Sequence, residues 1–82
     1  MDTPILETGF YSVLVDEYNT GIILNKNFEY HINKNESAFW TFKNLKKATE
    51  FIMSKLNENK NLEFSLYDNS GKYIRGINKD SA

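Results

Sequence analysis

Only one stretch of this chain carries the periodicity of a helix. Leu45, Ala48, Ile52 and Leu56 recur at three- and four-residue steps, with Phe51 beside them, so a helix here presents one apolar stripe. Lys46, Lys47, Glu50, Ser54 and Asn57 fall on its other side. Asn44 stands where an N-cap is needed, and the polar run 57–61 (NENKN) supplies the stop. A single stripe of this kind needs a second layer to cover it, and the rest of the chain supplies strands.

Residues 10–15 (FYSVLV) are β-branched and aromatic, which suits a strand covered on both faces. The turn-forming run 16–21 (DEYNTG) leads into a short strand over 21–24, and Asn25-Lys26-Asn27 is a second turn. Phe28, Tyr30 and Ile32 alternate with Glu29, His31 and Asn33, the period of a half-buried strand. Residues 38–42 (AFWTF) make another short aromatic strand. After the helix, Leu62, Phe64 and Leu66 share one face of a strand over 62–67. Asp68-Asn69-Ser70-Gly71 is the strongest hairpin signal, with Gly71 suited to the left-handed position, and 72–77 returns as the last strand.

The pattern predicts an α+β fold: an antiparallel sheet of four to five strands with one amphipathic helix packed on one face. Residues 1–82 are expected to form a single domain, with 1–8 a loose lead-in and 78–82 a frayed end. Phe10, Leu14, Phe28, Ile32, Phe64 and Leu66 are the expected sheet side of the core. A chain of this size buries only about 60–65% of its unfolded surface, so modest stability is expected.

Chemistry-bearing residues are scarce. The 82 residues include six Phe, five Tyr and one Trp, but one His and no Cys. His31 has no nucleophile or orienting partner specified near it, and with no Cys a structural zinc site is excluded. The four glycines are scattered and form no phosphate loop, and no serine sits in a nucleophile elbow. Residues 68–71 lack the spaced acids and closing Glu of a calcium loop. No catalytic residue, cofactor site or metal site is therefore expected, and the protein is read as a non-enzyme. No apolar run approaches the roughly 20 residues of a membrane span, and the absence of Cys fits a reducing compartment, so the expected location is the cytoplasm.

One helix can cover only one sheet face, which leaves Tyr11, Tyr18, Tyr30, Trp40, Tyr67 and Tyr73 as candidates for the open face or its edges. Tyr and Trp are enriched at protein interfaces. The net charge of −1 also hides a split, with acids prevailing in residues 1–42 and lysines after them. The expected partner-binding set is Asp16, Glu17, Tyr18, Glu29, Tyr30, Glu36 and Trp40: acids to steer a basic partner, and rings to anchor it.

This format of small size, hairpin strands, single helix and acidic turn resembles the small bacterial immunity proteins that neutralise polymorphic or contact-dependent toxins. The resemblance is one of format and carries no motif. It implies stoichiometric binding and occlusion of a cognate toxin, such as a basic nuclease; a phage inhibitor of a host defence factor would share the format. Two other readings follow from the residues. The first is a single-stranded nucleic-acid binder using Trp40 and the tyrosines with Lys43, Lys46 and Lys47, although the pI of 5.7 and the lone Arg argue against it. The second is a structural domain that homodimerises through its open sheet face or an edge strand.

Overall fold

The structure, a computed structural model, describes residues 3–33 and 35–81. Met1, Asp2 and Ala82, at the two ends expected to be loose, lie outside the described residues. Four strands and one helix follow in the order β1 (Tyr11–Glu17), β2 (Trp40–Phe42), α1 (Leu45–Glu58), β3 (Leu62–Tyr67) and β4 (Tyr73–Ile77). The strands form one sheet in the order β2-β1-β3-β4, antiparallel throughout. The fold is thus α+β, with one helix against a four-stranded antiparallel sheet. β2 and β3 both oppose β1, so they run parallel to each other, and α1 carries the chain between them across β1.

Alternation along the strands decides which side chains face the helix. Val13 lies opposite Trp40 on β2 and Leu66 on β3; Val15 lies opposite Phe64, which in turn lies opposite Ile77. Ala48, Ile52 and Leu56 of α1 close over this row, and Leu24 and Leu62 complete the buried core. Each buried Val, Leu, Ile or Phe side chain contributes about 1.5–3 kcal/mol on burial. Leu45, expected in the helix stripe, is 45% exposed, because it opens the first turn beyond the edge of the core.

The helix begins as its sequence dictates. Asn44 is extended, and its Oδ1 accepts from the Lys47 amide at 2.9 Å. It ends at Asn59, whose amide donates to Lys55 O and whose Oδ1 accepts from the Asn61 amide. The hairpin between β3 and β4 closes on Gly71, at φ +83°. Asp68 Oδ1 accepts from the Ser70 hydroxyl and from the amides of Ser70 and Lys72.

The chain between β1 and β2 departs from the sequence reading. The turn after Glu17 forms, with the Gly21 amide donating to Glu17 O at 2.7 Å. The two strands expected at 21–24 and 28–32 reduce to single bridges, Asp16–Ile23 and Leu24–Tyr30. Asn25 is the cause. Its Oδ1 takes the amides of Asn27 and Glu29, and the tight turn puts Phe28 at φ +60°. A left-handed residue breaks strand alternation, so Phe28, Tyr30 and Ile32 do not share a core face. Phe28 packs beside Trp40, whereas Ile32 is 89% exposed rather than core. Leu14 lies on the strand face away from the helix, half-buried.

At the chain ends, the Leu6 amide donates to Asn69 O, and Asn78 Oδ1 caps the Asp80 amide in a closing turn. No helix among the described residues is long and apolar enough to cross a membrane.

Candidate partner-binding surface

Glu17, the last residue of β1, faces the helix side, where the 18–31 excursion folds back toward the end of α1. Its Oε1 accepts from the Thr20 hydroxyl at 2.9 Å and from the Tyr30 hydroxyl at 3.1 Å. Donation to a carboxylate holds the Tyr30 phenol above its ordinary pKa, because ionising it would remove the hydrogen bond and set two anions together. The Asn25 turn places Glu29 and Tyr30 next to each other on the same rim.

Between this rim and the helix end lies a cleft of about 300 Å³. Its apolar lining is Leu24, Phe28 and Leu62; its polar lining is Glu17, Glu29, Tyr30, Asn59 and Asn61. Among the described residues, two carboxylates and no cationic side chain line it. The negative end of the α1 dipole lies on the same side, since Asn59 is the helix C-cap. Beyond Phe28 a second hollow of about 220 Å³ includes Lys55 and Glu58, with Lys55 Nζ 5.6 Å from the Phe28 ring centroid. Ile22 and Tyr30 of the excursion are 41% and 49% exposed, so with Ile32 it carries apolar side chains to solvent.

Of the seven residues expected at a partner surface, the structure brings Glu17, Glu29 and Tyr30 together. Trp40 is not in the cleft lining, but it packs against Phe28, which is. Its ring packs between Phe28 at 5.7 Å and Phe51 at 4.7 Å on the helix side of the sheet, with Lys26 Nζ at 6.0 Å. Glu36 is exposed in the connection to β2, its amide donating to Asn33 O.

Asp16 and Tyr18 belong elsewhere. Strand alternation puts Asp16 on the opposite face from Glu17, across from Glu63 of β3. Burial first, then the Glu63 carboxyl beside it, push Asp16 up to about 7, so it is a poor steering anion near neutral pH. The Tyr18 hydroxyl donates to Asp80 at 2.6 Å, which raises its pKa, and Lys79 Nζ lies 5.2 Å from its ring. Glu63, Asn78 and Asp80 went unnoticed in the sequence. Glu63 was readable as an outward position of an alternating strand, but its meeting with Asp16 depends on a register between segments 47 residues apart.

The face away from the helix is not a bare aromatic sheet. Phe39 is buried there edge-on to Tyr67 at 5.7 Å, Tyr67 meets Tyr73 at 5.8 Å, and Ser12 is fully buried. Tyr11, by contrast, packs on the helix-side core. Lys43, Lys46 and Lys47 are exposed around the start of α1. Among the described residues, no group of three or more His, Asp or Glu side chains is placed to hold a metal ion. Comparison with known proteins finds no match to this chain: no family model, no curated protein and no solved structure.

Proposed function

We propose that this protein is a small binding module that acts by stoichiometric occupation of a partner protein, and that it receives a basic side chain of that partner in the cleft beside Tyr30. The observation that carries this reading is the cleft's lining. An apolar floor of Leu24, Phe28 and Leu62 sits with two carboxylates, Glu17 and Glu29, and among the described residues no cation lines it. A lysine or arginine matches both parts, laying its aliphatic stem on the floor and its charge against the rim. Tyr30 adds an exposed ring to the cleft rim, and the same excursion exposes Ile22 and Ile32 as further apolar contact area. Within this reading, the finer assignment is an immunity or inhibitor protein that occludes a basic toxin or a host defence factor.

Nucleic acid is a weaker fit, since the Trp40 ring is already packed between Phe28 and Phe51.

The test begins with capture on the immobilised protein from lysate of its native host, with and without nuclease. A stoichiometric protein that survives nuclease is the expected catch. Its affinity should fall by about tenfold or more for the double variant Glu17→Lys with Glu29→Lys, with a weaker salt dependence of association. Unchanged affinity and salt dependence in that variant would remove the cleft from the interface. A catch that vanishes with nuclease would overturn the protein-binding reading.

A further inference from the structure

On the sheet face away from the helix, one row of residues crosses the β1–β3 pair and runs on into the segments flanking it. Asn78, Glu63, Asp16, Ile23 and His31 stand side by side in it, joined by the β1–β3 register, the Asp16–Ile23 bridge and the hydrogen bond from the His31 amide to Ile23 O. Its centre is two carboxyl groups facing each other across adjacent strands. Directly opposed side chains of an antiparallel pair lie about 4.5–5.5 Å apart at Cβ, and like charges so placed destabilise the sheet.

Among the described residues, nothing in the surroundings neutralises both groups. Asn78 Nδ2 donates to Glu63 Oε2 at 3.1 Å. Asp16 Oδ1 is buried with no partner, and among the described residues neither acid is in an ion pair. On the other flank Ile23 is apolar and separates Asp16 from His31. Just past the end of β1 stands Tyr18, with Asp80 and Lys79 beside it, but the Tyr18 hydroxyl donates to Asp80 and Lys79 lies over the Tyr18 ring. A proton on Asp16 removes the repulsion and converts it into an O–H donor to the Glu63 carboxylate.

We propose that Asp16 and Glu63 form a carboxyl pair that takes up one proton on folding, so that this end of the sheet, with the 78–81 turn held beside it through Asn78, is a proton-linked element that loosens as pH rises. The raised affinity of Asp16 for its proton, caused by burial and by Glu63, sets the window. The folded state keeps a proton that an unfolded aspartate releases at the ordinary value of 3.8. Stability from this pair is therefore fully present below that value and is lost as pH rises through about 7. This inference is independent of the cleft and of what binds there.

The experiment is urea denaturation of the full chain at steps between about pH 5 and pH 8, with carboxyl-carbon NMR of Asp16 over the same range. The unfolding equilibrium constant should increase with pH, by at most about tenfold per pH unit. The Asp16 carbon should titrate well above the ordinary carboxylate range. Asp16→Asn donates to Glu63 at any pH and should flatten the slope; the neighbouring Glu17→Gln, on the other face, should keep it. Glu63→Gln should return the Asp16 titration toward its ordinary value, a readout that remains if Asp16→Asn fails to fold. His31→Gln should retain the slope. An Asp16 carbon that titrates in the ordinary range would overturn the proposal. So would a slope that survives Asp16→Asn and disappears with His31→Gln.

Discussion

The Tyr30 hydroxyl donates to Glu17 Oε1 at 3.1 Å, tying the far side of the Asn25 turn to the end of β1. Residues 13 apart in sequence thereby form one rim of the cleft. Because the phenol gives its proton to a carboxylate, Tyr30 should ionise above the ordinary tyrosine value. Spectrophotometric titration should show one late-ionising tyrosine fewer in Tyr30→Phe. In Glu17→Gln, Tyr30 should move back toward the ordinary value.

Phe64 is fully buried, opposite Val15 and Ile77, with the Phe51 ring edge-on at 6.3 Å. Phe64→Ala should cost about 3–5 kcal/mol through lost burial and the cavity left behind. In a domain of this size that is most of the stability, and chemical denaturation should show a largely unfolded population without denaturant. Phe64→Leu should remain folded, with a smaller loss.

Asn44 satisfies the Lys47 amide through its side chain, and the first turn of α1 contains no acid. Asn44→Ala should destabilise by about 1 kcal/mol. Asn44→Asp keeps the acceptor and adds a negative charge at the positive end of the helix dipole, so its denaturation midpoint should equal or exceed that of the parent.

Gly21 and Gly71 both have positive φ, at +73° and +83°. A Cβ at Gly21 meets nothing within 4 Å, whereas one at Gly71 comes within 3.3 Å of Thr3 Cβ. Alanine at either position should cost about 1 kcal/mol for the left-handed backbone alone. Gly71→Ala should cost more than Gly21→Ala, since Thr3 must also give way by a few tenths of an ångström. Thermal denaturation of the two variants measures the difference.

Acid should weaken the same hairpin. Asp68 is held below its ordinary pKa, first by the Ser70 hydroxyl and then by the Lys72 amide. Its contribution is present above the ordinary aspartate value and is lost as pH falls through the lower value it has when folded. Amide exchange at Ser70 and Lys72 should speed up in that acid window. Asp68→Ala should show the faster exchange at every pH.

The helix, its Asn44 cap, the alternation of β3 and the Gly71 hairpin were all legible in the residues, because each rests on contacts within a few positions of the chain. A period of 3.6 or 2, a cap and a positive φ are local facts. The segment between β1 and β2 was misread for the converse reason. Phe28, Tyr30 and Ile32 have a strand's alternation, but the Asn25 side chain closes a turn that the alternation does not show, and Ile32 is left in solvent. The acids at 16 and 17 were visible as neighbours. That β1 sends them to opposite faces follows from strand geometry, and the partners they meet follow from nothing local. Tyr30 comes to Glu17 through the folding back of the excursion, and Glu63 comes to Asp16 through a strand register set by the shared burial of Val13, Val15, Phe64 and Leu66. Local propensity and periodicity determined the elements; long-range packing of the apolar faces decided which charges meet.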